Sequence, residues 1–345
     1  MKILYGVAGV GLGHSSRALL IADYLEKKGH RVKIITYGDA YNILKDKFDC
    51  IQVKGLEIIF ENGEVRKTKT VFYNIKNFSK NLFLRREFSK IIRGFKPDLC
   101  ISDMEAVVSI LSKLYNIPMI SLGNHHILTN FKVKIPVKYW KDSFITKQII
   151  KRVVGKSGAY IVSSFANLSP KKRNTFLVPP IIRKEISKLK PVYKNKILVY
   201  ISKGEETVLE ELKKINEKFS VYGFNVKKRD GNLEFRTKET FEKDLCDCKF
   251  VIGTSGFCLI SESIFLKKPY LAIPIKGHFE QMLNAILLRN SKFGDFSDEL
   301  TKKKVLSFLK NLEHYKKNLE NYNSDQKKIF RVIDERIKEI KNKLK

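Results

Sequence analysis

The sequence predicts an α/β protein made of two doubly wound units, each a parallel sheet covered by helices on both faces. Three observations carry this. Short apolar runs alternate with helix-length segments from the first residues onward. The alternation breaks at a proline-marked, basic stretch, Val178-Pro179-Pro180 to Pro191, and then restarts. A chain of 345 residues also suits two domains better than one.

Lys2 to Val7 reads as a buried parallel strand, and Gly9-Val10-Gly11-Leu12-Gly13-His14 as a loop. Ser15 to Lys28 reads as a helix that Gly29 ends. Further strands are expected at Val32 to Thr36, Cys50 to Val53, Pro97 to Ser102, Pro118 to Leu122 and Ala159 to Val162, with a helix from about Met104 to Tyr115. After the break, Lys196 to Ile201 is a strand, Ser202-Lys203-Gly204 a turn and Glu205 to Phe219 a helix. Short strands are expected near Ser220–Tyr222 and Val226–Lys228. Phe250–Ile252 is a strand, followed by the turn Gly253-Thr254-Ser255-Gly256, a helix holding Glu262, and a strand Tyr270–Ile275 bounded by prolines. The domains expected are residues 1–180 and 192–325, with 326–345 as a C-terminal helix or tail; a solvated charged tail fits the last ten residues best.

A hydrophobic fraction of 43% suits a chain that buries real cores. No apolar span of about 18 residues occurs, so no transmembrane helix is expected. The run Ile3 to Gly13 breaks into glycines and reads as a strand, not a secretory leader. Five cysteines at 50, 100, 246, 248 and 258 fit reduced thiols in a cytosolic protein, and Cys246-Asp247-Cys248 lacks the second ligand pair of a zinc site. The 67 Lys+Arg outnumber the 36 Asp+Glu, a net charge of +31; residues 1–190 hold 35 basic and 14 acidic residues, so they carry +21 of it. Such an excess implies an anionic partner: nucleic acid, an acidic membrane or a phosphorylated substrate.

Two basic segments interrupt the alternation. Phe72 to Phe95 fits an ordinary helix with a solvated basic face. In Val133 to Val154 the charge is more one-sided: eight Lys/Arg and one acid between Phe131 and Lys156, with the sole tryptophan. There, contact of Trp140, Phe144, Lys138, Lys141, Lys147, Lys151 and Arg152 with an anionic bilayer is favoured over simple packing on the sheet.

The Gly9–His14 loop follows a strand and opens a helix. Gly11 and Gly13 let a ligand approach the backbone at the positive helix end. A dinucleotide fingerprint would place its third glycine where His14 stands, and Asp39 lies 28 residues beyond Gly11, too far for the ribose acid. A nicotinamide enzyme therefore ranks low. A histidine at a helix N-terminus tends to stay neutral and suits general-base work. Asp103, at the end of the Pro97–Ser102 strand, could orient it as a His–Asp dyad. Glu105 and the pair His125-His126 also follow strand ends and are read as acceptor contacts; Glu105 could equally complement the helix dipole.

The glycine loop ending in His14, the second α/β unit and the string from Ser255-Gly256 through Glu262 to His278-Phe279-Glu280-Gln281 and Asn284-Ala285 resemble GT-B glycosyltransferases. Within these they are most similar to the MurG-like group, and in it to archaeal and bacterial members labelled teichoic-acid-biosynthesis-like or UDP-N-acetylglucosamine-transferase-like. The resemblance implies two facing Rossmann-like domains, with C-terminal helices that cap the second and cross back to the first. It implies a nucleotide sugar held mainly by the second domain: Glu262 on the ribose hydroxyls, Thr254-Ser255-Gly256 facing the diphosphate, and Ser202-Lys203-Gly204 bordering it. Glu280 and Gln281 would bind sugar hydroxyls, with His278 and Asn284 nearby, and His14 would serve the acceptor. No metal or other cofactor is expected, although Asp103-x-Glu105 superficially resembles a metal-binding acidic motif. UDP follows from the family only, because Tyr222-Gly223-Phe224 does not reveal the base.

The reading is thus a glycosyltransferase acting on a lipid-linked or membrane-associated acceptor, cytoplasmic and peripherally attached to the membrane, with inversion expected. A UDP-sugar 2-epimerase shares the two-domain plan, but the basic, apolar-studded first half argues against it. A nucleic-acid partner is permitted by charge, yet no RNP, helix-turn-helix or zinc-finger signature occurs.

Overall fold

The computed structural model describes all residues except 56–58, 62–63, 67–68, 71–72, 74–84, 202–205 and 345. The first half supplies strands β1 (Lys2–Val7), β2 (Arg31–Thr36), β3 (Asp49–Gln52), a small hairpin of β4 (Phe60–Glu61) and β5 (Glu64–Val65), then β6 (Leu99–Asp103), β7 (Met119–Leu122), β8 (Ala159–Ser163) and β9 (Thr175–Val178). The second half supplies β10 (Ile197–Tyr200), β11 (Phe219–Tyr222), β12 (Lys228–Asp230), β13 (Leu233–Phe235), β14 (Val251–Thr254), β15 (Tyr270–Ile273) and β16 (Gly294–Phe296). They form two seven-stranded sheets, β3-β2-β1-β6-β7-β8-β9 and β12-β13-β11-β10-β14-β15-β16. Every pairing in these two sheets is parallel except β12 with β13. The chain is an α/β protein of two Rossmann-like sheets, as the alternation predicts.

Strand order decides where a ligand can sit. β1 lies between β2 and β6, so the chain leaves β1 to one side and resumes on the other. β10 lies between β11 and β14 in the same way. In open parallel sheets the crevice for ligands opens at such reversals, beyond the carboxyl ends of the strands.

The period-two alternation of β1 divides the first core. Ile3, Tyr5 and Val7 face one layer with the Leu12–Lys27 helix, and Leu4 faces the other with Phe88, Ile92 and Val108. The Arg85–Phe95 helix is thus an ordinary packed helix over its described residues; the rest of the Phe72–Phe95 segment lies largely outside them. On the second sheet, Leu198, Val251 and Tyr270 face a layer that continues into the first half through Phe131, Tyr160 and Val162. The two halves thus share one buried apolar cluster.

The Lys302–Lys310 and Leu312–Glu320 helices cover the second sheet through Val305, Phe308 and Leu312. The Lys328–Leu344 helix crosses back and buries Ile329, Val332, Ile333 and Ile337 in the first core. The helix runs into the stretch expected as a solvated tail: Ile337 is buried and Ile340 partly buried in its stripe, while Lys341 to Lys343 are exposed. Strands β9, β13 and β16 were not anticipated; they have three or four residues, too few to show a period.

Candidate active site

The β1–β6 reversal builds the first half of the site. Val7 pairs in register with Asp103, and the amide of Ala8 donates to the Asp103 carbonyl at 3.0 Å. The loop after β1 and the end of β6 therefore start from one point. Gly11 takes φ +77°, a left-handed conformation that glycine adopts without strain, and begins the Leu12–Lys27 helix with no side-chain cap. One turn in, His14 Nδ1 lies 2.8 Å from Asp103 Oδ1. Arg17 Nε and Nη2 hold the same carboxylate at 2.8 and 2.6 Å.

Arg17 Nη2 also lies 3.2 Å from His14 Nδ1, and both cannot donate to each other. The shorter bond decides: Arg17 is satisfied by Asp103, and His14 Nδ1–H donates to Asp103. Burial would raise the Asp103 carboxyl, but Arg17 and then His14 overcome it and hold it well below the usual carboxylate range. Asp103 is fully buried while the His14 side chain keeps 21% of its surface exposed. That leaves Nε2 as the imidazole atom available to a ligand.

The β10–β14 reversal builds the second half. After β14 the chain turns at Ser255-Gly256, and the Phe257–Phe265 helix starts without a side-chain cap. The turn is held from the next helix, Phe279–Asn290. Gln281 Oε1 accepts from the amides of Ser255 and Ile275, at 3.2 and 3.1 Å, and Asn284 Nδ2 donates to the Ser255 carbonyl at 3.0 Å. Ser255 is buried, and among the described residues its Oγ has no hydrogen-bond partner. Glu262, two turns along the helix, is nearly buried and is held by Arg183 through Nε at 2.6 Å and Nη2 at 2.9 Å.

The halves enclose one cleft of about 2370 Å³. A β-carbon placed on Gly13 would lie 2.9 Å from Cys258 Sγ, so the two uncapped helix ends nearly touch. Asn124 Nδ2 spans the cleft to Glu280 Oε1 at 3.0 Å. Gly11, Gly13, His14, Thr254, Gly256, Glu262, His278, Glu280, Gln281 and Asn284 all line the cleft. Ser202, Lys203 and Gly204 lie outside the described residues. At the far end, Tyr222, Gly223, Asn225, Arg236 and Phe241 form an aromatic and basic wall, with Tyr222 and Phe241 edge-to-face at 5.2 Å.

Three expected acceptor contacts sit elsewhere. Glu105 is buried and caps the Ala106–Leu114 helix, accepting from Val107 and Val108 at 2.8 and 2.7 Å. Burial raises its carboxyl to about 7, against the pull of those two amides. His126 is buried with Nε2 at 2.6 Å from Ser121 Oγ and Nδ1 at 3.2 Å from Thr129 Oγ1; burial, and then Lys172, lowers it to about 3. The His125 ring lies 4.2 Å from the His126 ring, tilted by 48°, and among the described residues neither of its nitrogens has a hydrogen-bond partner. It lies beneath Asp103: a β-carbon on Gly123, itself at φ +137°, would be 2.6 Å from the His125 ring and 3.2 Å from Asp103 Oδ1.

The Trp140–Val154 helix divides its roles. Ile150 and Val154 pack inward, whereas Phe144, Ile145, Ile149 and Arg152 line the cleft. Trp140 is 60% and Phe144 63% exposed, and Lys141 and Lys151 are exposed beside them, with Lys147 half-buried. Lys138 is committed elsewhere: it bonds Asp298 of the second half at 2.8 Å, and Tyr139 joins the same carboxylate at 2.9 Å. Among the described residues, no group of three or more His, Cys, Asp or Glu side chains could hold a metal ion, and no helix is long and apolar enough to cross a membrane.

The model of the family described as glycosyl transferase family 1 matches residues 1–313. The chain belongs to that family. The glycosyltransferase is 23% identical over 323 residues to an uncharacterized glycosyltransferase of Methanosarcina acetivorans, with 85% of each chain covered. Among solved structures, the spinosyn rhamnosyltransferase SpnG, complexed with thymidine diphosphate, superposes with a TM-score of 0.65 at 10% identity, covering 97% of this chain and 100% of that one. MurG of Acinetobacter baumannii superposes with a TM-score of 0.60 at 16% identity, covering 96% and 98%. The fold of the glycosyltransferase is therefore GT-B.

Arg17 and Arg183 escaped the sequence reading, as did Asn124, which bonds Glu280 across the cleft. Arg17 stands three positions after His14, one helical turn away on the same face, so its spacing was a usable signal. Arg183 had none: it lies in the proline-marked linker, 79 residues from Glu262.

Proposed function

We propose that the glycosyltransferase moves a sugar from a nucleoside-diphosphate donor, first to be sought among UDP-sugars such as UDP-N-acetylglucosamine, to a lipid-linked or membrane-associated acceptor. The observation that carries this is the placement of the His14–Asp103 pair opposite the uncapped Phe257–Phe265 helix end across one cleft. With Nδ1–H given to Asp103, Nε2 of His14 takes the proton of the acceptor hydroxyl. The acceptor oxygen attacks the anomeric carbon, and the bond from that carbon to the diphosphate oxygen breaks on the opposite face, so the configuration inverts. Asp103 stabilises the imidazolium that forms. The helix end stabilises the departing diphosphate, so the reaction needs no metal.

Glu262 reads the ribose, Glu280 and Gln281 the sugar, and the Tyr222–Phe241 wall the base. The first-half wall of the cleft, with Leu20, Ile110, Ile145 and Ile149, is apolar and favours an acceptor bearing a hydrocarbon chain over the epimerase alternative. The work site is the cytoplasmic membrane surface, reached through Trp140, Phe144, Lys141, Lys147 and Lys151.

A donor screen with hydrolysis as readout tests the reading. Turnover of one nucleotide sugar, lost in Glu262→Ala, is the expected result. Failure to bind or hydrolyse any donor, with no effect of Glu262→Ala, would refute it. A C2 epimer formed from donor alone would transfer the site to the epimerase reading.

A further inference from the structure

The second sheet carries a pocket at the end opposite the cleft. The cleft lies beyond the carboxyl ends of the strands, whereas this pocket, of about 320 Å³, opens where β10 and β11 begin and reaches β12 and β13. Strand register builds it. Leu198 of β10 pairs with Ser220 of β11, Ser220 with Glu234 of β13, and Glu234 with Arg229 of β12, so these residues form one row across four strands. Lys196 and Lys218 stand side by side two residues before that row: Ile197 pairs with Phe219, and its amide donates to the Lys218 carbonyl at 2.9 Å. Lys194 lies two residues further back.

Four cations, Lys194, Lys196, Lys218 and Arg229, thus line one concavity, and Glu234 is the one carboxylate among its described lining residues. Glu234 is already engaged, accepting from Arg236 Nη2 at 2.7 Å. Like charges on neighbouring strands repel. The Phe241–Asp247 helix holds two of them in place all the same: Lys196 Nζ bonds Asp244 Oδ1 and Lys194 Nζ bonds Asp247 Oδ2, each at 2.6 Å. Asp244 is buried and is fixed from its other oxygen by Tyr222 Oη at 2.7 Å and Arg236 Nη1 at 3.0 Å, so Lys196 is anchored to a rigid partner. Its ammonium still has N–H donors to spare. Lys218 and Arg229 are exposed and make no ion pair among the described residues. Phe219, the one apolar residue of the described lining, is buried in the opposite layer. The pocket therefore offers charge and hydrogen bonds rather than an apolar surface, at the small end of the ligand-site range.

We infer that this pocket is a second ligand site, which takes a small soluble molecule through a phosphate or diphosphate group. A phosphate brings several acceptor oxygens and the charge that four converging cations lack. Lys196 and Lys194 would meet it already positioned, and Lys218 and Arg229 would close on it from the rim. The inference stands apart from the donor site proposed above, which lies at the other end of the strands.

Calorimetric titration with inorganic phosphate and inorganic diphosphate, at low ionic strength, tests this on the wild type, Lys218→Gln/Arg229→Gln and Lys303→Gln/Lys310→Gln. All four substituted residues are exposed, so each variant should fold, and the second pair removes the same charge from the same half without touching the pocket. Diphosphate can also enter the cleft, so each titration is repeated with UDP in excess. The wild type should bind diphosphate with and without UDP. Lys218→Gln/Arg229→Gln should weaken the binding that resists UDP about tenfold or more, the loss expected for one charged hydrogen bond, and the control pair should stay within about twofold. Equal binding by all three proteins would overturn the inference, as would no binding by the wild type. Equal loss in both variants would overturn it too, because it would show attraction to net charge alone, and so would binding that UDP abolishes, which belongs to the cleft. If UDP itself does not bind, the donor reading fails, while the comparison of the two variants still decides this one.

Discussion

His14, Asp103 and Arg17 form one unit, but they contribute in different ways. His14 sits at the cleft surface, so His14→Gln should lower kcat by roughly 10²–10⁴ while leaving the melting temperature nearly unchanged. Asp103→Asn removes the counter-charge of a buried guanidinium. It should cost about 3–5 kcal/mol of stability in urea denaturation, before any effect on catalysis is read. Burial, and then its neighbour His126, holds His125 well below the usual histidine range, and His126 stays neutral to about pH 3. In the unfolded chain both protonate near 6.5. Depressed folded values mean that their stabilisation is complete above pH 6.5 and is lost as pH falls below it. Glu105 acts in the opposite sense: raised to about 7 from an ordinary 4.5, it favours the fold below 4.5 and loses that contribution as pH rises through 7. Between pH 4.5 and 6.5, two protons taken up by the unfolded histidines outweigh one held by folded Glu105. Stability should therefore fall with acid, by about 1.4 kcal/mol per pH unit. Stability from urea denaturation between pH 6.5 and 4.5 should show that slope in the wild type and a much flatter one in His126→Asn.

At the scale of the element, the Ser255-Gly256 turn owes its shape to the Phe279–Asn290 helix. Gln281 was expected to touch the sugar, yet its Oε1 is already shared by two backbone amides, so only Nε2 is left for a ligand. The two jobs can be separated. Gln281→Ala strands both amides and should lower stability by about 1–3 kcal/mol per amide. Gln281→Glu keeps the acceptor oxygen and loses the N–H donor. It should melt close to the wild type but show a raised donor KM, measured alongside thermal unfolding; an unchanged KM would take Gln281 out of sugar binding.

For the whole molecule, the feature that matters is that one cleft is shared by two sheets and rimmed by an exposed basic, aromatic helix. Trp140 is exposed at the rim, and Phe144, Ile145 and Ile149 are exposed while lining the cleft, so a membrane-borne acceptor would meet the rim first and the apolar wall next. Flotation with anionic vesicles should carry the wild type upward and leave Trp140→Glu/Phe144→Glu at the bottom, and raised salt should weaken the wild-type interaction. Vesicle binding that ignores both substitutions would place the membrane surface elsewhere. Lys138 is not a clean probe of this surface, because it also bonds Asp298 of the second half.

Much of this was legible in the chain itself. Apolar runs bounded by glycine and proline mark the buried parallel strands, and a strand, a glycine turn and a helix in succession mark both ligand-facing ends, because backbone geometry permits little else there. His14, Glu280 and Gln281 could be singled out for the same reason, since they stand at such strand ends; Glu262, inside the Phe257–Phe265 helix, was picked out by the resemblance. What required the folded molecule was every relationship across long sequence distances. His14 meets Asp103 because β1 and β6 are neighbours in register, and Arg183 meets Glu262 because the linker folds over the second sheet. Burial was equally invisible: Glu105, His125 and His126 stand at strand ends as His14 and Glu280 do, but the structure turns them inward. Local sequence determines which strand ends can carry chemistry. Only tertiary packing decides which side chains there reach the cleft, since that depends on neighbours supplied by distant parts of the chain.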